Sequence, residues 1–79
     1  MDIEKMIQLN ELIAECFEVD VGIVNPNARF IEDLDASSLK RIVFIAALED
    51  LTGISAITPA KLKYMITVGE LYESLKDWL

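Results

Sequence analysis

Six apolar residues, Met6, Leu9, Leu12, Ile13, Cys16 and Phe17, recur at steps of three and four along the first segment of the chain. That spacing lays a single apolar stripe along a helix. Helical patterning returns over Leu39–Leu51 and again from Val68 onward. No stretch alternates polar and apolar residues for long enough to demand a strand. Helices of this size can hide their stripes only against one another. The expected fold class is therefore all-α, a small bundle of three main helices plus one short helix.

Punctuation sets the boundaries. Asp2 stands where an N-cap belongs, and the first helix is expected to run to Phe17. Residues Glu18–Asp33 contain Gly22, Pro26 and two asparagines, which break regular structure. Val19, Val21, Ile23, Val24, Phe30 and Ile31 are expected to pin this long connection onto the core. The second helix is expected over Leu39–Leu51, with Gly53 as a left-handed cap at its end. Thr58-Pro59 reads as an N-cap followed by proline at the first helical position, opening a short helix to Tyr64. Thr67 is expected to cap a last helix, Val68–Trp78, with Val68, Leu71, Tyr72 and Leu75 facing inward. Nothing marks a repeat or an internal boundary, so residues 1–79 are expected to form one domain.

Composition removes several function classes. A net charge of −7 disfavours nucleic acid, whose phosphates it would repel. The chain has no histidine and one cysteine, which leaves no soft-metal site and no disulfide framework. Cys16 is expected in the core, in a reducing, cytoplasmic setting. No leader and no apolar run near ~20 residues is visible, so neither a signal peptide nor a membrane span is expected. An enzyme with its own cleft is not expected either.

Two adjacent serines open the second helix after a loop carrying Glu32, Asp33 and Asp35. Ser37 fits as N-cap, with its oxygen taking a backbone N–H. Ser38 is then the first helical residue, with its side chain outward, and Leu39 the first core anchor. The leading N–H groups of a helix lack internal partners, and the dipole is positive there. A phosphodiester on Ser38 would gain from both. Spacing alone leaves capping as the plainer role for both serines. A catalytic role for Ser38 would need a base within hydrogen-bond reach, and the chain supplies no histidine for it.

The stretch from Asn27 to Gly53, NARFIEDLDASSLKRIVFIAALEDLTG, resembles the central segment of acyl carrier proteins. In that family a loop of the form Phe-x-Glu-Asp-Leu leads to Asp-Ser-Leu and an amphipathic helix ending in Ala-Leu-Glu. Phe30, Glu32, Asp33 and Leu34 match the loop, Ser38-Leu39 match the end of the triplet, and Ala47-Leu48-Glu49 match the helix end. Ile66-Thr67-Val68-Gly69-Glu70-Leu71 resembles the entry to the family's last helix. The resemblance implies that Ser38 is the attachment point for 4′-phosphopantetheine, transferred from coenzyme A by a phosphopantetheinyl transferase that uses magnesium. The arm would carry acyl groups as thioesters and present them to acyl-transferring and acyl-modifying enzymes. The protein would itself perform no chemistry. Leu39 would anchor the helix start, and Asp35, Asp33 and Glu32 would assist the transferase complex. A monomer is implied.

Two departures from the family pattern stand out. Ser37 occupies the place where the family has aspartate, which makes Ser37 itself the second candidate for attachment. The outer face of the second helix is acidic in the family; here it presents Lys40, Val43 and Ala46, with Asp50 retaining a carboxylate at the far end. Val43 either turns inward as core or stands beside Ala46 as a small apolar docking patch. Rim charge governs partner choice and on-rate, so this face points to a dedicated pathway of lipid or polyketide type rather than bulk fatty acid synthesis. Two other readings remain open. One is a helical interaction module that kept the fold and lost the arm. The other is an aminoacyl or peptidyl carrier, although Asp35-Ala36-Ser37-Ser38-Leu39 suits the acyl type better than the Gly-Gly-x-Ser-Leu motif of those carriers.

Overall fold

The computed structural model describes residues 2–79 and contains four α-helices: α1 (Ile3–Phe17), α2 (Ser38–Thr52), α3 (Pro59–Tyr64) and α4 (Val68–Ser74). Among the described residues there is no strand, only an isolated antiparallel bridge between Arg29 and Thr67. All four expected helices are present in the expected order, two of 15 residues and two short ones of 6 and 7.

Each helix begins where a side chain satisfies its free amides. Asp2 accepts from the N–H groups of Glu4 and Lys5 at the start of α1. Thr58 accepts from Lys61 N–H ahead of Pro59 in α3. At α4 the Glu70 carboxylate reaches back to the N–H groups of Ile66 and Thr67. Gly53 closes α2 in the left-handed region, at φ 72°. Glu18 closes α1 in the same way at φ 58°, a conformation that is unfavourable for a residue with a Cβ.

The core lies where α1, α2 and the long connection meet. Leu9, Ile13 and Phe17 of α1 and Phe44 and Leu48 of α2 are buried. Phe17 is the hub: its ring centroid lies 5.2 Å from that of Phe44 and 5.8 Å from that of Phe30, both tilted. Leu62, Val68, Leu71 and Leu75 complete the cluster from α3, α4 and the turn that follows. Ile57, between α2 and α3, is buried as well.

The connection is pinned by a different set of residues from the one expected. Val24 and Phe30 are buried, and Val19 is partly so, but Val21, Ile23 and Ile31 are exposed. Ala28, Leu34 and Ala36 do the remaining inward packing. The reason is local. Asp20 caps a 3-10 turn over Val21–Ile23, which holds that segment on the surface. Backbone hydrogen bonds then stitch the connection to the head of α4: Val68 N–H to Ala28 (2.9 Å), Gly69 N–H to Pro26 (3.0 Å) and Phe30 N–H to Ile66 (3.1 Å).

The last helix is shorter than its pattern suggests. Regular α-helix stops at Ser74 instead of Trp78, and the chain continues as turns. The end is drawn toward the head of α1. Asp2 N–H donates to the Leu79 carbonyl at 2.7 Å, and Lys5 Nζ donates to that of Trp78 at 3.0 Å. The Lys5 ammonium also sits 5.2 Å from the Trp78 ring centroid. Trp78 therefore closes this end of the bundle against α1.

Candidate functional site

The two serines at the start of α2 occupy different positions and do different things. Ser37 is the N-cap, extended at φ −66° and ψ 164°, and its Oγ accepts from Lys40 N–H at 3.2 Å. Its carbonyl accepts from Arg41 N–H at 3.0 Å. Ser38 is the first helical residue and is exposed. Its N–H and that of Leu39 lie ahead of the first intrahelical bond and have no acceptor within the helix. An exposed hydroxyl thus stands beside unpaired amides at the positive end of a 15-residue helix.

The approach to this point is built by the loop. Asp35 adopts the left-handed region at φ 50°, which reverses the chain just before the helix. Ala36 N–H donates to the Phe30 carbonyl at 2.9 Å, and Ser37 N–H to that of Asp35 at 2.9 Å. Leu34 and Ala36 are buried on either side of Asp35, whose side chain stands free in solvent. Asp33 folds back on its own loop, its carboxylate taking Arg29 N–H at 2.8 Å. Glu32 pairs with the Arg29 guanidinium at 2.6 Å. Of the three loop carboxylates, Glu32 and Asp33 are engaged with Arg29, while Asp35 pairs with Lys40 of α2.

Two cations occupy the first turns of α2. Lys40 is not thrown outward: its side chain is 26% exposed, Nζ lies 3.9 Å from the Asp35 carboxylate, and it reaches the Phe17 carbonyl at 3.5 Å. Arg41 lies across the helix start. One guanidinium nitrogen donates to the Ala36 carbonyl at 2.8 Å, and another approaches Ser38 Oγ at 3.5 Å. Between α2 and α3 a cavity of about 200 Å³ opens at Ser38, lined by Arg41, Ile42, Pro59, Ala60 and Lys63.

Leu39 is not a core anchor. It is 72% exposed. At ~100° per residue it lies about 140° around the helix from Phe44, which does face the core. Val43 is exposed too, at 51%, as are Ile42 and Ala46. Leu39, Ile42, Val43 and Ala46 fall at i, i+3, i+4 and i+7 and form one outer stripe, with Asp50 exposed beyond it. Ile42 and Leu39 belong to this stripe and were not assigned to it from sequence. The signal was available: α2 is apolar on both sides, with Phe44, Ile45, Leu48 and Leu51 on the other face.

No alternative chemistry assembles nearby. Among the described residues no three or more metal-ligating side chains converge. Cys16, far along α1, is partly buried; burial first, and then the neighbouring Glu15 charge, push its thiol above its usual range. That direction suits packing, not reactivity. No helix of the described residues is long and apolar enough to cross a membrane.

The donor set around Ser38 suits an anion: two free helical amides, a dipole end and a guanidinium. Comparison with known proteins agrees with that chemistry. A family model described as a phosphopantetheine attachment site matches residues 8–75. An acyl carrier protein of Lactobacillus acidophilus is 36% identical over 70 residues, covering 89% of this chain and 86% of its own. One from Helicobacter pylori is 33% identical over 69 residues, covering 87% of each. The polyketide-8 synthase acyl carrier protein 2 of Streptomyces avermitilis is 35% identical over 72 residues, covering 91% of this chain and 82% of its own. With a helical bundle, an exposed serine at a helix start and this similarity over most of its length, the chain belongs to the acyl carrier protein family, carriers and not catalysts, built to bear a covalent 4′-phosphopantetheine arm.

Proposed function

We propose that Ser38 bears the arm and that the protein carries acyl groups as thioesters for a dedicated biosynthetic pathway. The observation that carries this reading is the division of labour between the serines. Both serines are exposed, but Ser37 Oγ is engaged as a cap, whereas Ser38 Oγ has only the long contact from Arg41 and stands beside free amides. In loading, Ser38 Oγ would form a bond to the β-phosphorus of coenzyme A. The pyrophosphate link would break, adenosine 3′,5′-bisphosphate would leave, and the hydroxyl proton would pass to a base of the transferase. Asp35, exposed and 3.9 Å from Lys40 Nζ, is the loop carboxylate best placed to meet that enzyme.

The choice of partner follows from the outer face of α2. Leu39, Ile42, Val43 and Ala46 would meet an apolar surface, with Asp50 at the rim meeting a cation. Lys40 turns toward Phe17 and contributes charge rather than direct contact. A partner evolved for an acidic helix would bury its own cations against this stripe unpaired, which excludes it. The similarity to a carrier named for polyketide-8 synthase supports a specialised pathway. The protein is inferred to work as a single domain and a monomer, in the cytoplasm.

Incubation with coenzyme A and a broad-specificity phosphopantetheinyl transferase, followed by intact mass, tests the carrier role. A gain of one phosphopantetheinyl unit is expected, and no gain under forcing conditions makes the chain an unmodified interaction module. Elongation by housekeeping ketosynthases then tests the pathway. Slow turnover is expected, and turnover equal to that of an ordinary carrier refutes the dedicated-pathway reading.

A further inference from the structure

Arg41 presents a problem that the carrier role does not by itself explain. A cation in the first turn of a helix opposes the dipole, yet α2 begins with two cations and no acid. Lys40 is accounted for by Asp35 and the Phe17 carbonyl. Arg29 and Lys76 pair with Glu32 and Glu73. The Arg41 guanidinium has no carboxylate within pairing distance among the described residues. It is nevertheless held in place, with a strong anchor to the Ala36 carbonyl at 2.8 Å and a long contact to Ser38 Oγ at 3.5 Å. A guanidinium has five donors in a planar fork, matched to phosphate oxygens. The short bond fixes its plane, and the long one is readily given up. Arg41 lines the cavity between α2 and α3 together with Lys63.

We infer that Arg41 is the clamp for the phosphodiester of the arm, an inference that rests on Ser38 being the attachment point. In a phosphate on Ser38 the phosphorus lies one bond beyond Oγ and the non-bridging oxygens two, within reach of the guanidinium that already approaches Oγ. The Ala36 bond stays, and the remaining donors of the fork close on the phosphate. The root of the arm is thereby turned toward the groove lined by Pro59 and Ala60, with Ile42 on the edge that groove and stripe share, and away from Leu39, Val43 and Ala46 on the rest of the exposed stripe. Loading also neutralises the misplaced cation, so the loaded protein is more stable than the unloaded one. Arg41 acts here as a positioning residue for the arm, and it leaves the outer face of α2 free for partners.

The test compares unloaded and loaded protein, for the unaltered chain and for Arg41→Gln and Arg41→Lys. The readouts are melting temperature at low and high salt and the 31P resonance of the loaded forms. For the unaltered protein, loading raises the melting temperature by a few degrees at low salt, and salt erodes the gain. In Arg41→Gln the gain disappears and the 31P line shifts and narrows as the phosphate is freed. Arg41→Lys, with charge but no fork, recovers less than half of the gain. Taking the loaded-minus-unloaded difference cancels any general loss of stability in a variant. Equal gains in all three proteins, with the 31P line unmoved, overturn the clamp while leaving Ser38 in place. If mass shows no loading, or loading that survives Ser38→Ala, the attachment reading fails and the clamp fails with it. Should Arg41→Gln not fold, the Arg41→Lys pair and the salt dependence of the unaltered protein decide, and a salt-independent gain overturns the proposal.

Discussion

Individual atoms decide several outcomes that composition leaves open. Ser37 and Ser38 carry the same hydroxyl, but Ser37 Oγ is taken up as the cap by a 3.2 Å bond from Lys40 N–H, while Ser38, inside the helix, has only a long contact from Arg41. Ser37→Ala should cost about 1 kcal/mol of stability through the lost cap and still accept the arm. Urea unfolding and intact mass check the two halves separately. Gly69 is a second such position. Alanine normally outranks glycine in a helix by about 1 kcal/mol. A Cβ here, however, would lie 2.9 Å from the Pro26 carbonyl oxygen, the same atom that accepts Gly69 N–H. Backbone cannot yield there without loosening the loop from α4, and overpacking costs about 1–3 kcal/mol. Gly69→Ala should therefore be destabilising despite its helix propensity, and a rise in the urea midpoint would contradict this packing. The caps at Asp2, Ser37 and Thr58 were legible because capping is local chemistry. The close approach at Gly69 was not, because it needs a residue 43 positions away in the chain.

At the scale of elements, α2 is the instructive case. Its existence was legible, since Ser37 and Gly53 bracket it. Its rotation was not. With Leu39, Ile42, Val43 and Ala46 on one side and Phe44, Ile45, Leu48 and Leu51 on the other, a 3.6 period selects no single face. Packing against Phe17 selects it, through the aromatic contact with Phe44. That is why Leu39 reads as an anchor in the sequence and stands exposed in the fold. Neighbouring substitutions should accordingly differ sharply. Phe44→Ala should cost about 3–5 kcal/mol, a large share of what a small domain has. Val43→Ala should change stability by less than about 0.5 kcal/mol while weakening capture by the partner enzyme. Denaturant unfolding of both variants checks the rotation, and similar losses in the two would refute it. α1 was less ambiguous, because Glu4, Glu11 and Glu15 mark a polar side, although Ile3 and Ile7 stand exposed outside the core stripe. The end of α4 escaped because its last residues are claimed by Asp2 and Lys5.

For the whole molecule, the groups that bury on folding set the pH response. Burial, followed by the Glu15 charge, raises the Cys16 thiol above its ordinary 9.0. Burial raises the Tyr72 phenol above 10.0, opposed by its hydrogen bond to Asn10. Both groups are neutral when protonated, so above those values the unfolded chain sheds protons that the folded chain still holds. Stability is then fully present below pH 9 and falls as the pH climbs through 9 and 10 toward the folded values. Tyr72→Phe should make the upper part of that fall shallower, whatever its effect on stability at neutral pH. Urea unfolding across about pH 8 to 11 reads the slopes, and parallel slopes for the two proteins contradict the assignment. The overall architecture was legible because four helices and a long polar connection leave few ways to bury the stripes. The packing of that connection was not, since Ala28, Leu34 and Ala36 are buried by contacts that no local period announces.

All of this converges on one oxygen atom at the head of α2. The most direct test is fragmentation mass spectrometry of the loaded protein, reading which residue between Asp35 and Lys40 carries the added group. The account predicts that fragments gain the phosphopantetheinyl mass only once Ser38 is included. Fragments that already carry it at Ser37, or a modification lying elsewhere in the chain, would contradict it.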